Sequence, residues 1–385
     1  MKIAIVIEKA DMRGGQNRVI AELSRRLAVR HDVHLFCFEA ADLAPEVTVH
    51  LLPCPLRHRP IMQEICIPLA SRLAVKPEQF DVILAQGGNC PVANSTLVHI
   101  SQVELAQVKR QAFAQQPDMP AWERTIRNRW QQTALRNEIR VVRKCRGAVM
   151  AVSEQLRRTL ISDYGLAEDE VSATPNGVDH DRFNLQVRER YRHRLRTELG
   201  LDDKSFVVLF MGARWLEKGL DRLLSGVAML PDRDVHVLVV GDGDPTSVAH
   251  LIPEHMTDHV HFTGLQPPEP YFAAADCFVF PTRCEGFGLV MAEAAACGLP
   301  LIVTPAGVGA ELVEPGVSGY LLPQATDDAQ ERLIAKQIAA HLASLCGNRD
   351  AARQMGLAAR EKSLRFTWDR QAELVEQVLT ARFAR

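Results

Sequence analysis

Short apolar runs alternate along this chain with longer amphipathic stretches, the pattern of buried parallel strands joined by helices. In the first half these runs predict strands at 2–7, 33–38, 48–52, 81–85, 95–99, 147–151 and 171–174. After the first of them, Val19, Leu23 and Leu27 fall on one helical face, which predicts a helix from Gly15 to about Val29. A strongly charged stretch at 184–200 then interrupts the pattern. A second strand series follows at 206–211, 236–240, 261–263, 277–280 and 301–303. A last helix is expected from about Asp369, with Leu374, Val375 and Val378 at core-like spacing. No short repeat and no low-complexity segment is evident.

Each half therefore reads as an α/β unit with an open, doubly wound, Rossmann-like sheet. Ligands of such sheets bind beyond the carboxyl ends of the strands. Two such sheets facing each other would bring their binding ends to one shared cleft. The expected division is an N-terminal domain over 1–183, a C-terminal domain over 184–365, and a closing segment over 366–385.

Length agrees: 385 residues exceed one ordinary core and suit two domains of roughly 150–200 residues. With 47% hydrophobic and 24% charged residues the chain has a soluble globular composition. A formal net charge of -2 argues against nucleic acid or another polyanion as the partner of the whole molecule. No apolar run approaches the roughly 18–20 residues that span a bilayer. The short apolar N-terminus runs into Glu8, Lys9 and Asp11, so it reads as a first strand and not as a signal peptide. Nine cysteines, an odd number with no Cys-x-x-Cys, argue against a disulfide framework or a structural zinc site and fit a reducing cytoplasm.

The chemistry concentrates at 281–300. There a buried strand ends at Phe280, a glycine-bearing loop carries Glu285, Gly286, Phe287 and Gly288, and a helix begins near Leu289 and contains Glu293. The unpaired first amides of such a helix, with the positive end of its dipole, form an anion site. A second loop, 212–219, follows the first strand of the second half. It offers the planar fork of Arg214 and the compact charge of Lys218, which together suit a diphosphate. In the first half, Gly14-Gly15 follows the first strand and opens a helix, and His99 ends the predicted strand 95–99. The run is not Gly-x-Gly-x-x-Gly, so a nicotinamide dinucleotide site is poorly supported.

Glu285 and Glu293, separated by seven residues and framed by Gly-Phe-Gly-Leu and Ala-Cys-Gly-Leu-Pro, resemble the Glu-x7-Glu signature of retaining glycosyltransferases. By these residues the chain resembles glycosyltransferase family 4, of GT-B fold, including bacterial enzymes of lipopolysaccharide and cell-envelope synthesis. Other segments are similar to the family's as well: Arg214 with Lys218-Gly219, Gly241-Asp242-Gly243, and His261 to Leu265, which in the family lies against the nucleotide base. Asn176-Gly177-Val178-Asp179 is similar to a family turn, read here as a conformational feature because Asn-Gly readily takes positive φ. The ending Phe366-Thr367-Trp368-Asp369 resembles the family's closing helix, which returns to the first domain. The likeness is dense from 206 to 323 and sparse from 40 to 145, where acceptor contacts are expected.

The resemblance implies retaining transfer of a sugar, a hexosyl unit above all, from a UDP- or GDP-sugar substrate to a glycan or to a lipid-linked or lipopolysaccharide acceptor, with no further cofactor. It implies that Arg214, Lys218 and the amides near Gly288 and Leu289 stabilise the departing diphosphate. Glu293 is implied to hold ribose hydroxyls and Glu285 donor-sugar hydroxyls. Gly14, Gly15, Leu265, Gly286 and Phe287 are implied to line the donor, with His99 near its sugar. The helix end and cations replace a metal, so no essential metal is expected. A phosphorylase or sugar-nucleotide epimerase on a similar fold is the rival enzyme reading. A non-catalytic nucleotide-sugar-binding protein is the rival of another class, but it requires a damaged site, and all four charged residues are present.

One feature points to a membrane surface. Between Lys109 and Arg146 there are ten Lys or Arg against three acidic residues, and Trp122, Ile126 and Trp130 recur at helical spacing among Arg124, Arg127 and Arg129. Such a basic amphipathic segment, roughly 105–146, suits peripheral docking of a cytoplasmic enzyme on an anionic membrane face.

Overall fold

The computed structural model describes residues 1–54, 60–114, 121–230, 234–325 and 327–384. The chain divides into two compact units, Met1–Gly177 with Thr367–Arg385, and Val178–Phe366. The division falls at 177/178, where the sequence placed it at 183/184.

The first unit holds strands β1 (Lys2–Val6), β2 (Lys9–Ala10), β3 (Asp32–Cys37), β4 (Glu39–Ala40), β5 (Thr48–Leu51), β6 (Val82–Gln86), β7 (Ser95–Val98), β8 (Val149–Ala151) and β9 (Val171–Ala173). Seven of them form a parallel sheet in the order β5-β3-β1-β6-β7-β8-β9. The pair β2–β4 is a separate two-residue ribbon, too short to give a periodic signal. The second unit holds β10 (Phe206–Met211), β11 (Val235–Val240), β12 (Val260–Gly264), β13 (Cys277–Phe280), β14 (Leu301–Val303) and β15 (Gly319–Leu321), ordered β12-β11-β10-β13-β14-β15. β15 escapes a reading of apolar runs because it is only Gly-Tyr-Leu.

Both sheets are wholly parallel, and their central strands are apolar without alternation because helices cover both faces. β10, for instance, is Phe-Val-Val-Leu-Phe-Met and buried throughout. Each sheet reverses its direction of growth once. In the first unit this happens between β1 and β6, and in the second between β10 and β13. The crevice at such a reversal is where doubly wound sheets hold ligands.

The C-terminal helix Trp368–Phe383 packs on the helix Gly15–Leu27 of the first unit. Thr367 caps it by accepting from the Arg370 amide at 3.1 Å. Trp368, Gln371, Ala372, Val375 and Leu379 are its buried residues, while Leu374 and Val378 are half-buried. Asn176-Gly177 serves this helix, though not through positive φ, which neither residue adopts. A Cβ on Gly177 would stand 2.1 Å from the Trp368 amide nitrogen, so close backbone approach is what calls for glycine. Gln371 Nε2 donates to Asn176 Oδ1 at 2.7 Å.

Glycine also brings the long helix Ala121–Lys144 onto the sheet, since a Cβ on Gly88 would stand 2.4 Å from the Glu138 nitrogen. Glu138 is thereby buried, with Tyr164 Oη and the Gln102 amide (3.0 Å) donating to its Oε1. Burial outweighs these two donors and pushes its carboxyl up to about 7. The folded state therefore binds a proton that the unfolded state releases between pH 4.5 and 7. Stability from this group is full below pH 4.5 and declines as pH rises to about 7, by about 3 kcal/mol. Denaturant titrations of Glu138→Gln between pH 4 and 8 are expected to show that decline reduced. An unchanged pH profile would rule Glu138 out as its source.

Candidate active site

The second unit carries its charged loops at the reversal between β10 and β13. After β10 the chain turns at Arg214, whose φ of 55° lies in the left-handed region that non-glycine residues seldom occupy. This turn starts the single helical turn Trp215–Lys218, which ends at Gly219 with φ 81°. Arg214 stays largely exposed and pairs with Glu217 at 3.3 Å. Lys218 points inward. Its Nζ donates to Glu285 Oε2 at 2.7 Å and to the Cys284 carbonyl at 3.3 Å, and lies 5.8 Å from the centre of the Phe280 ring. The pair is well shielded, with side-chain exposures of 11% and 18%.

Glu285 sits in the loop after β13. The Gly286 amide donates to its Oε1 at 3.2 Å. The loop ends at Gly288, φ 83°, which caps the helix Leu289–Ala296. Ahead of Met291, whose amide donates to the Gly288 carbonyl at 2.9 Å, the first amides of that helix have no carbonyl one turn back to bond, which suits them to an anion. Phe287 turns away into the core against Phe366, at 5.6 Å between ring centres, so only its main chain faces the loop. Gly307 permits this arrangement, because a Cβ there would stand 2.4 Å from the Phe287 carbonyl oxygen. Glu293, in the same helix, is 3% exposed. Its charge reaches Arg182, whose pKa is raised first by its hydrogen bond to Glu269, with Glu293 and Asp179 adding.

A layer of residues that the sequence reading missed holds these loops. Arg283 donates to both oxygens of Asp221 at 2.8 Å each, and Arg222 to both oxygens of Glu331 at 2.6 Å each. Arg222 also donates to the Pro281 carbonyl at 2.8 Å, and the Arg283 amide to the Glu217 carbonyl at 2.9 Å. Together they tie the two loops to the helix Asp328–Gly347. Planar bidentate pairs of this kind fix geometry as well as charge. Their only trace in the sequence is an excess of Arg and acid near the motifs. Gly241-Asp242-Gly243 has a packing role: a Cβ on Gly243 would stand 2.3 Å from the Trp215 ring, which lies tilted against Phe262. Leu265, beyond the end of β12, is 84% exposed.

In the first unit, Gly14 and Gly15 follow β1 and His99 follows β7, all at the carboxyl edge of the sheet. Asp11, which the sequence shows only as a charge ending the first apolar run, shapes the glycine turn by accepting from the amides of Arg13 (2.9 Å) and Gly14 (3.1 Å). Burial opposes its charge, but these amides and Lys9 hold its carboxyl below the usual range. His99 Nε2 lies 2.6 Å from Gln86 Oε1, and burial pushes its imidazole down to about 3. The ring is therefore neutral at physiological pH and suited to hydrogen bonding, not to carrying charge. The structure thus joins Lys218 with Glu285 directly. It sets Arg214 and Gly288 at the same sheet reversal, and places Gly14, Gly15 and His99 in the other unit.

Two family models match the chain: Glycosyltransferase Family 4 over residues 13–182, and Glycosyl transferases group 1 over residues 205–343. A D-inositol 3-phosphate glycosyltransferase of Xylanimonas cellulosilytica is 28% identical, over 93% of this chain and 89% of that protein. WaaG, a glycosyltransferase involved in lipopolysaccharide biosynthesis, has a similar structure, with a TM-score of 0.74 at 18% identity over the whole of both chains. So has the Anabaena protein HepE in complex with UDP and glucose, with a TM-score of 0.70 at 19% identity over 99% of this chain and all of that one. The fold these structures share with the chain is GT-B, two parallel-sheet α/β units.

Proposed function

We propose that this chain, which belongs to glycosyltransferase family 4, transfers a hexosyl unit with retention from a nucleotide sugar to a glycan or lipid-linked acceptor at the cytoplasmic membrane face. The observation that carries this reading is the shielded Lys218–Glu285 pair beside the Gly288-capped helix end, at the sheet reversal of the second unit. A departing nucleoside diphosphate needs positive charge where its own charge develops. Lys218, Arg214 and the amides from Gly288 and Leu289 supply it, which accounts for a reaction without a metal. Glu285, held by Lys218, accepts hydrogen bonds from donor-sugar hydroxyls. Gly286 and the Phe287 main chain line the same loop, and Glu293 takes the ribose hydroxyls while Leu265 lies toward the base. In the N-terminal unit, the acceptor side of this reading, Gly14 and Gly15 approach the donor phosphates and neutral His99 hydrogen-bonds near the sugar. The leaving phosphate takes the acceptor proton on the same face, so Glu285 is no covalent nucleophile. UDP is the favoured base carrier, with support from HepE, whose structure holds UDP and glucose.

A panel of UDP- and GDP-sugars tests this reading twice. The correct donor raises the melting temperature by binding the folded form, and it releases free nucleoside diphosphate when an acceptor is supplied. Absence of both responses across the panel removes the assignment; phosphate-dependent turnover would instead mark a phosphorylase. Within that assay Glu293→Ala is expected chiefly to raise the nucleotide Kd, and Glu285→Ala chiefly to lower kcat. Wild-type values for both parameters in both variants would sink the role given to the two glutamates.

Membrane docking draws support from the surface of the first unit. In the helix Ala121–Lys144, Ile126 is 53% exposed, Arg127 and Arg129 are exposed, and Trp130 is half-buried, with Lys109 Nζ 5.8 Å from its ring. The side chains of Trp122 and Arg124 lie outside the described residues. Nearer its C-terminus, Glu138, Val141 and Val142 are buried, so any docking falls to the first turns of the helix. Among the described residues no helix is long and apolar enough to cross a membrane. Co-sedimentation with liposomes is expected to rise with anionic lipid and fall with salt, because surface charges are screened over about 8–10 Å at physiological ionic strength. Binding untouched by joint Arg127→Gln and Arg129→Gln substitution would dismiss this helix as the docking element.

A further inference from the structure

At the amino ends of β11 and β12, opposite the end that carries Leu265, four polar side chains gather on one sheet face. Residues two apart along a strand share a face, so Asp234 and His236 point the same way, as do His259 and His261. Parallel pairing aligns Val237 with Val260 and Leu238 with His261, which sets His236 beside His259. Their rings stack at 4.4 Å between centres and 1° between planes. His236 Nε2 lies 2.8 Å from Asp234 Oδ1, and its Nδ1 lies 3.1 Å from His261 Nε2. One ligand atom from each of Asp234, His236 and His259 falls within 4.8 Å of the other two, and among the described residues no other such trio occurs.

We propose that Asp234, His236 and His259 bind a divalent transition-metal ion of the zinc class, with His261 as the outer partner of His236. Two imidazoles, one carboxylate and an open fourth position are a donor set that zinc accepts. The partners orient the lone pairs. His259 Nδ1 lies 3.2 Å from the Val235 carbonyl, which can only accept, so Nδ1 carries the proton and Nε2 presents its lone pair. A backbone carbonyl behind the ring is the usual support of a metal-binding histidine. Without metal, His236 Nε2 donates to the Asp234 carboxylate, and Nδ1 accepts from His261 Nε2. With metal, the ion takes the place of the Nε2 proton. His236 then carries its proton on Nδ1 and donates to His261 Nε2, while His261 holds its own on Nδ1, and no net proton is released. Arg196, whose charge reaches His236, is itself bound by Asp276 at 2.6 Å. A site made of histidine and aspartate needs no cysteine.

The first unit supplies an internal control. Asp32, His34 and His50 repeat the arrangement, with His34 Nε2 3.1 Å from Asp32 Oδ1 and His34 Nδ1 2.8 Å from His50 Nε2. There, however, the ring stacked on the pair is Phe36, at 4.4 Å from His50, which offers no ligand. Titration of the chelator-treated full chain with Zn2+, followed by calorimetry and thermal melting, tests the proposal. We expect saturable one-to-one binding and a raised melting temperature. His236→Ala and His259→Ala should each weaken binding by about tenfold or more, while His50→Gln leaves it unchanged and donor-induced stabilisation is the same in all. Circular dichroism without metal checks that each variant is folded, with His259→Asn as the milder replacement. No saturable binding by the wild type, or binding equal to wild type in folded His236 and His259 variants, overturns the site.

Discussion

Lys218→Ala is expected to lower turnover by roughly tenfold to a hundredfold, the equivalent of losing a charge-assisted contact of about 1.5–3 kcal/mol to the departing diphosphate. It is also expected to lower stability, which Arg214→Ala is not. The difference lies in burial. Arg214 is 55% exposed, so water screens its side of the pair with the less exposed Glu217 (14%), and its removal costs activity and little stability. Lys218 shares a shielded pair with Glu285, and removing one partner of such a pair leaves the other charge uncompensated, at a cost of about 3 kcal/mol. The double variant Lys218→Met with Glu285→Gln separates the two effects. It should recover most of the stability, since no charge is stranded, and none of the activity. Wild-type turnover in a folded Lys218→Ala enzyme would remove the clamp from the mechanism.

Gly219→Ala is expected to be the most damaging small substitution in the site. Gly219 has φ 81°, and a Cβ there would stand 2.1 Å from the Pro281 carbonyl oxygen. The left-handed backbone alone costs about 1 kcal/mol or more for alanine. The contact is with backbone and not with a flexible side-chain end, so relief requires the two loops to part. That carbonyl accepts from Arg222 at 2.8 Å, and the loop it opens leads to Glu285. A loss of at least about 2 kcal/mol in denaturant titration is expected, together with impaired donor binding. Gly316→Ala is the fitting comparison, because its φ is likewise positive, at 79°, with no atom within 4 Å of the added Cβ. Equal stability losses in the two variants would show that backbone strain, and not the approach of Pro281, governs the site.

Much of this was legible along the chain. Apolar runs located twelve of the strands, the central ones most clearly, because a parallel strand covered on both faces has to be apolar throughout. The Glu285–Glu293 spacing, the glycines around it and the cations after β10 were also local features, since a strand, its loop and the helix start are contiguous residues. What the chain did not disclose was what those residues meet. Lys218 and Glu285 are 67 positions apart, and Arg222 and Glu331 are 109 apart. Their meeting follows from the strand order β11-β10-β13-β14, which places the end of β10 beside the end of β13. No local propensity encodes that order. The same holds for Glu138, which a linear reading counts among the acids of a basic helix and which burial turns into a group that titrates near neutrality. It holds for Gly177 too, where glycine is dictated by the approach of Trp368 from the far end of the chain and not by its own φ. The elements and the chemical types at their ends follow from local sequence, because both depend on neighbours a few residues away. The tertiary structure alone decided which charges pair, which are shielded from water and where a Cβ has no room, because those depend on residues that only folding brings within a few ångströms.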